Sequence, residues 1–470
     1  MDTLYARIAQ HITEQINNHT YRAGDRILSV RRLSTQLDVS ISTALEAYRA
    51  LENQGLIEAR PQSGYYVRTQ TTSLPPQPAM SNPSASPESV SVSQLTMRML
   101  NAVNLPDIIQ LGAAVPHSTF LPTPQLHRAL INIIRHHGDQ GAAYELPQGS
   151  HDLRVQIARR AVDSGCSLSP DDIIITTGCQ EALHLSLRAV ARAGDTIAIE
   201  SPTYHGLLQA IESLGMKALE IPTHPQQGIS LDALRLAIEQ WPIKACALAT
   251  NFSNPLGCSL PDQKKQQLVA LLSAHNIPLI EDDIHGDLGF SSPRPKTAKA
   301  YDRTGHVLLC SSFSKTLAPG FRVGWIVPGY YKTDIIHLKS VTTMGTATLP
   351  QLAIATFLSK GGYDRYLRKA RHEYATQIAR VTHTISTSFP TGTKVTQPGG
   401  GFVLWLELPE NVNALTLQQH ALMQKISIAP GPMFSAKQKY QHCIRLNCAT
   451  PWSDKMEQAI RTLGQLAAQQ

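Results

Sequence analysis

Lys315 lies in SSFSKTLAPGFRVGW, residues 311–325, among hydroxyl residues and with Arg322 seven positions on. A lysine amine that gives up its proton attacks carbonyl carbon, and an arginine offers a planar fork to phosphate or carboxylate. Ser312, three residues before the lysine, stands where it too can reach a phosphate. EDDIHGDL ends an apolar run, so Asp282 would emerge at the C-terminal edge of a buried strand, where α/β folds bind ligands. NFSNPLG follows a second such run; the amide of Asn254 can donate to an anionic oxygen, and its bond to Pro255 is open to the cis form. In TTGCQEALHLSL a strand, Gly178 and a helix succeed one another, which aims the N–H groups of Cys179 and Gln180 at an anion. SPTYHG offers the ring of Tyr204, and CIRLNCA brings Arg445 late in the chain as a bidentate clamp for a carboxylate. Each motif alone has an ordinary alternative: a surface lysine beside serines, a solvated acidic loop, a plain strand–turn–helix link. Together they supply what pyridoxal phosphate requires: an amine for a Schiff base, a carboxylate for the pyridine nitrogen, donors to the phenolic oxygen, and a cationic, N–H-rich phosphate cradle.

The elements that must position these residues are short apolar runs, DIIITT, DTIAIE, KACALAT, IPLIEDD and HVLLCSSF, alternating with helical stretches from about residue 95. Their length and β-branching are those of buried parallel strands, so the body reads as α/β. A large part spans about 105–345, and a smaller α+β part, about 350–470, carries the strands GGFVLWLEL and HCIRLNCA. At 470 residues, 42% apolar and 16% charged, the chain has room for two or three folded domains. Seven cysteines without C-x-x-C spacing read as reduced thiols, and eighteen histidines fall in no metal-ligand spacing, so no metal is expected. MDTLYARIAQH has no signal-peptide core and no uncharged apolar run reaches eighteen residues, so the expectation is a soluble, cytoplasmic protein without a membrane segment.

Residues 1–69 are different. Leu4, Ile8, Ile12 and Ile16 form an i+4 stripe; Gly24 breaks that helix; Ser29 can cap a second helix with Leu33 and Leu37. Ser40 or Ser42 can cap a third helix that stops at Gly55, and LIEARPQSGYYV reads as two strands about a turn. Helix, helix–turn–helix and hairpin is the winged helix-turn-helix order, which reads double-stranded DNA with the start of its second motif helix. Ser40, Ser42, Thr43 and Glu46 would then stand near bases, Arg31 and Arg32 near phosphates, and Arg60, Gln62 and Tyr65 on the wing. Net charge is +7 overall, yet residues 1–70 hold eight arginines against three aspartates and four glutamates, so placement rather than bulk charge must carry DNA contact. Residues 70–94 are rich in Pro and Ser, with Glu88 their one charge. They read as a flexible linker with a reach on the order of 25–30 Å.

AGDRILSVRRLSTQLDVSISTALEAYRALENQGLIEARPQSGYYV resembles the GntR-type winged-helix domain. It departs from it at Leu28, where that family usually has proline, and at Ile41, where it has arginine. YELPQGSHDLR, TTGCQEAL, SPTYHG, NFSNPLG, EDDIHGDL, SFSKTLAPGFRVGW, PGGGFVLWLEL and IRLNCA, in this order, resemble the fold-type I, class I aminotransferases from about residue 105 onward. That resemblance implies a mostly parallel central sheet, Lys315 as the Schiff-base lysine, Asp282 on the pyridine nitrogen and Asn254 on the phenolic oxygen. It further implies Gly178, Cys179, Gln180, Ser312 and Arg322 around the phosphate, Tyr204 over the ring, and Arg445 on a substrate carboxylate. Tyr144 matches a tyrosine that reaches the neighbouring subunit's phosphate, which implies a homodimer. Where the family carries a phenolate-donating tyrosine this chain has Ile284 and His285, which puts easy transamination in doubt and leaves His285 as the replacement donor. The joined arrangement resembles the MocR subfamily of bacterial regulators. It implies a transcriptional regulator of an operator, controlled by an amino acid or related amine, or by the cofactor itself. The alternative is a working aminotransferase with a secondary DNA-binding head.

Overall fold

In the computed structural model, which describes residues 4–18, 20–21, 24–53, 55–60, 63–67, 74–103 and 107–470, Ile8, Ile12 and Ile16 form one buried stripe of α1 (Leu4–Asn17). That stripe packs on α3 (Ile41–Asn53), against which α2 (Val30–Gln36) also rests. Ser29 caps α2 by accepting from the Arg32 N–H at 3.3 Å, and Ser40 caps α3 by accepting from that of Thr43 at 3.1 Å. The strands β1 (Ile57–Arg60) and β2 (Gly64–Val67) pair antiparallel, with Arg60 opposite Gly64. Leu4 and Leu37, expected on apolar stripes, are exposed instead; Leu37 lies just past the last turn of α2.

The Pro/Ser stretch departs from its expectation as a free coil. Within the described part, from Leu74 to Val92, it is laid along the body as a belt. The Val395 N–H donates to the Pro76 carbonyl at 2.9 Å, the Trp241 indole N–H to that of Ala85 at 3.0 Å. Ser81 donates its hydroxyl to the Ser201 carbonyl at 2.6 Å, and Lys437 pairs with Glu88 at 2.6 Å. The two-residue strand β3 (Glu88–Ser89) joins the edge of the main sheet, and Val90 and Val92 are buried in its core. Proline carries no N–H and little chain entropy, so such a segment is ordered by a few carbonyl and hydroxyl bonds once a surface is there to receive it. The belt ends where Glu212 accepts from the N–H groups of Val92 and Ser93 and from the Ser93 hydroxyl, at 2.9–3.1 Å. Glu212→Ala is expected to raise hydrogen exchange at the Val92 and Ser93 amides about tenfold or more, read by mass spectrometry, because a hydrogen bond to a charged group contributes about 1.5–3 kcal/mol.

After the belt come α4 (Ser93–Val103), β4 (Ile109–Gln110), α5 (Thr123–Ala142) and α6 (His151–Ala161). The chain then alternates through β5 (Ile174–Thr176), α7 (Cys179–Val190), β6 (Thr196–Ser201), α8 (His205–Ser213), β7 (Lys217–His224), β8 (Gly228–Ile229), α9 (Leu231–Gln240), β9 (Ile243–Ala249) and α10 (Asp262–Ala274). It continues through β10 (Leu279–Asp282), β11 (Val307–Ser312) and β12 (Gly324–Val327) to α11 (Lys332–Thr342), α12 (Thr348–Ser359) and α13 (Gly362–Ser388). The main sheet has the order β3-β7-β6-β9-β10-β11-β12-β5; β7 to β11 run parallel, and β12 is antiparallel to both neighbours. Ile197 and Ile199 face one core and Ala198 the other, so the sheet is covered on both sides. This parallel order brings the C-terminal ends of β6, β9, β10 and β11 to one edge.

The smaller part holds β13 (Lys394–Val395), β14 (Val403–Glu407), α14 (Ala414–Met423), β15 (Ile426–Ser427), β16 (Ala429–Pro430), β17 (Cys443–Asn447) and α15 (Asp454–Ala468). Its four-stranded sheet runs β13-β14-β17-β16, and β4 pairs with β15, Ile109 opposite Ile426. After β3 has joined the main sheet, the chain therefore passes through the small subdomain, by a pairing two residues long and invisible to periodicity. Among the described residues no helix is long and apolar enough to cross a membrane.

Candidate functional site

The shared strand edge surrounds a cavity of about 180 Å³, and nine of the expected residues line it: Cys179, Gln180, Tyr204, Asn254, Asp282, His285, Ser312, Lys315 and Arg322. Each is placed by a local rule. Asp282 is the last residue of β10 and Ser312 of β11, while Lys315 follows in the turn after β11. Cys179 and Gln180 open α7, whose N-terminus has no side-chain cap. Gly178 precedes it at φ +82°, directly under the arginine: a Cβ there would stand 2.5 Å from Arg322 Nη2. Gly178→Ala therefore carries both a left-handed backbone and a clash with a guanidinium, and is expected to weaken cofactor binding at least tenfold in an absorbance titration.

The Lys315 amine donates to the Ala114 carbonyl at 2.6 Å. Burial, then the nearby Arg445 charge, pull its pKa down to about 8, with Asp282 opposing. Burial raises the Asp282 carboxyl to about 6, although Oδ1 accepts from the Ile284 N–H at 3.0 Å and from the Cys179 thiol at 3.6 Å. A cation facing that carboxylate would restore its charge. One side of both groups faces the cavity, so surface area leaves them half-buried while protein surrounds the rest. Arg322 sits at φ +54°, and its fork makes only long bonds, 3.3–3.4 Å, to Ser314, Pro319 and Thr177. The Ser312 hydroxyl accepts from the Ser314 N–H at 3.3 Å.

Arg445 arrives from β17 of the small subdomain and is fully buried. Nη1 donates to Asn254 Oδ1 at 3.2 Å, Nη2 donates to the Gly112 carbonyl, and Nε has no partner. Since a guanidinium only donates, the bond fixes Asn254 Oδ1 toward it and leaves the amide N–H₂ to the cavity. His285 is buried and neutral, its pKa driven down to about 3 by burial; its ring donates to the Phe252 main chain through Nδ1, so Nε2, without a partner, carries no hydrogen and the ring is not the donor expected to replace the tyrosine. The end of β10 is held from behind by Arg294, which pairs with Asp283 and with Asp287 at 2.7 Å. Burial alone would raise Asp287, but Arg294 and Arg160 hold it at about 2. Two cations, Lys315 and Arg322, thus line the cavity with one carboxylate, Asp282, while Arg445 lies fully buried outside the lining; the excess of positive charge calls for anions.

These features fit pyridoxal phosphate: an amine with a single bond, a carboxylate without a cation in contact, an uncapped helix start beneath a half-free arginine, and the amide N–H₂ of Asn254. Tyr144 stands apart, 93% exposed and outside the cavity lining. Sequence reasoning missed Met99, Asn251 and His205 on the cavity wall. Met99 sits on a helix with no motif, and His205 stood in plain view beside Tyr204 without a charge pattern to mark it.

In the head, Arg31, Arg32 and Ser42 are exposed along α2 and the start of α3. The Ser40 hydroxyl is engaged as a cap and also bonds Ser42 and Thr43 at 2.8 Å. Arg60 is exposed, paired with Glu58 at 2.8 Å and stacked on Tyr66 at 4.4 Å. Tyr65 turns inward, its ring 4.8 Å from that of Tyr48, so strand alternation makes Tyr66 the outward aromatic of the wing. Gln62 lies outside the described residues.

Residues 106–463 match the family of class I and II aminotransferases, and residues 4–67 the gntR family of bacterial regulatory proteins. The chain is 41% identical to the uncharacterized HTH-type transcriptional regulators YjiR and YdcR of Escherichia coli, each covered over 98% of both chains. Aromatic-amino-acid aminotransferase 1 of Thermococcus litoralis is 28% identical over 78% of this chain and 89% of its own. Among solved structures, the kynurenine aminotransferase of Pyrococcus horikoshii superposes with a TM-score of 0.74 at 27% identity, covering 80% of this chain and 94% of its own. The chain therefore belongs to the class I and II aminotransferase family through its body and to the gntR regulators through its head, the combination that defines MocR-type HTH transcriptional regulators.

Proposed function

We propose that this protein regulates transcription by binding operator DNA through its head, with affinity set by an amino compound or by the cofactor at the aminotransferase-type cavity. The observation that carries this reading is the convergence of Lys315, Asp282, Asn254 and Arg322 on one cavity in a chain that begins with a winged helix. Pyridoxal phosphate bound there would supply an electrophilic carbon conjugated to an electron-withdrawing ring. Lys315 holds that carbon; Asp282 keeps a proton on the pyridine nitrogen; Asn254 faces the phenolic oxygen. Gly178, Cys179 and Gln180, with Ser312 and Arg322, hold the phosphate, and Tyr204 covers the ring. Arg445 holds an effector carboxylate. A homodimer would cover the exposed Tyr144 and bring it to the partner's phosphate. On DNA, Arg31 and Arg32 meet phosphates, Ser42 and Thr43 the bases, and Arg60 the backbone beside the wing.

The test is the absorbance of the cofactor-loaded protein during titration with amino acids, followed by operator binding with and without the amines that shift the band. DNA affinity unaltered by every such amine would overturn the reading. The DNA roles have a separate measurement: Arg31→Ala is expected to lower the slope of log K against log salt by about 1, since one phosphate fewer is neutralised. A second reading, a working aminotransferase, is favoured by the completeness of the cavity's residue set. Full conversion of the bound cofactor to its amine form, reversed by a 2-oxo acid, would promote it.

A further inference from the structure

The start of α3 carries an aliphatic side chain that the head's core does not use. Ala44, Tyr48 and Leu51 follow Ile41 at helical spacing and are all buried in that core, so period alone puts Ile41 on the same stripe. It is 57% exposed instead. Ile41 is the first residue of α3, and helical side chains lean toward the helix N-terminus, so this one projects past the edge of the core. In a helix-turn-helix that same end enters the major groove. The polar side chains around it are engaged with one another. The Ser40 hydroxyl bonds those of Ser42 and Thr43 at 2.8 Å and accepts from the Thr43 N–H at 3.1 Å. What capacity they have left discriminates poorly, since a hydroxyl pairs with donor and acceptor edges alike.

This inference rests on the reading above, in which the head binds operator DNA. We propose that Ile41 reads a thymine through its 5-methyl group, which makes it a specificity-determining residue and places a T·A pair opposite it in the operator. Of the groups that base pairs present in the major groove, the thymine methyl is the apolar one. An aliphatic chain set against the cytosine amine or the guanine acceptors would strip water from them and return no hydrogen bond. Set against the methyl, it removes apolar surface of both partners from water. Isoleucine is also stiff at χ1 in a helix, so little side-chain freedom is lost on contact.

The experiment selects binders of the cofactor-loaded full chain from a pool of duplexes with a randomised centre. The tightest is then rebuilt with deoxyuridine in place of thymine, one position at a time. Uracil still pairs with adenine and keeps its O4, so each replacement removes a methyl and nothing else. At least one position should lose about fourfold in affinity, the share of one buried methyl. Ile41→Ala should bind that duplex and its deoxyuridine form equally. Ile41→Val, which keeps the branched carbon, should retain the difference. The position is exposed and alanine is a good helix former, so the fold tolerates the change. Each ratio is taken within one protein, so differences in folded fraction cancel. Indifference to deoxyuridine at every position, or a sensitivity that survives Ile41→Ala, overturns this inference alone. A pool from which no duplex is enriched overturns the reading of the head, and this inference with it.

Discussion

Lys315→Ala is expected to abolish the visible absorbance band of the cofactor-loaded protein, and borohydride should no longer fix cofactor to the chain. The amine is the cavity's one primary amine, held by a single bond to the Ala114 carbonyl 2.6 Å away. Its reactivity has a pH dependence that can be worked out. Only the deprotonated amine attacks, and a pKa of about 8 in place of 10.5 leaves roughly a tenth of it free at pH 7, against less than a thousandth for an unperturbed lysine. Covalent attachment to the apo-protein should therefore speed up about tenfold from pH 6 to pH 7 and level off above pH 8, followed in a stopped-flow spectrometer. A rate still rising tenfold per unit above pH 9 would mean an ordinary lysine and would remove Lys315 from the proposed role. The same low pKa comes from burial and from Arg445, so it should climb when Arg445 is replaced.

Replacing Arg445 has the second large effect, and on a different ligand. Arg445→Gln is expected to weaken α-amino acids at least about 30-fold, while the matching decarboxylated amines change little. The guanidinium is fully buried, bonded by Nη1 to Asn254 and by Nη2 to Gly112, and its Nε has no partner. Removing one partner of a buried hydrogen-bonded charge pair costs about 2–5 kcal/mol, which sets the lower bound of the factor. Comparing an amino acid with its decarboxylated amine separates the carboxylate from everything else the substitution disturbs. If operator binding still responds to the cofactor after Arg445→Gln, the protein senses the cofactor itself and no carboxylate-bearing effector.

The motifs were legible because the rules that place them are local. A buried strand reads as a short β-branched run, so Asp282 and Ser312 could be set at strand ends from sequence alone. Ser29 and the start of α7 follow capping and strand–turn–helix rules that span four residues. The head was legible for the same reason, except where a face had to be chosen: Tyr65 packs on Tyr48 and Tyr66 turns outward, an assignment that alternation from buried Val67 would have supported. The belt was misread because low apolar content argues for a coil only when no neighbouring surface supplies partners. Trp241, Val395 and Lys437 do so from positions more than 150 residues away.

By itself the sequence determined the order of elements, the two kinds of domain, and which residue types end up at the strand edge, since hydrophobic period and capping are properties of neighbours along the chain. Only the tertiary structure decided which polar atoms are left over. The Nε of Arg445, the Nε2 of His285 and the Nδ1 of His205 are unpaired because of what packs against them from distant segments. Whether a buried donor or acceptor is satisfied depends on groups that meet only after folding.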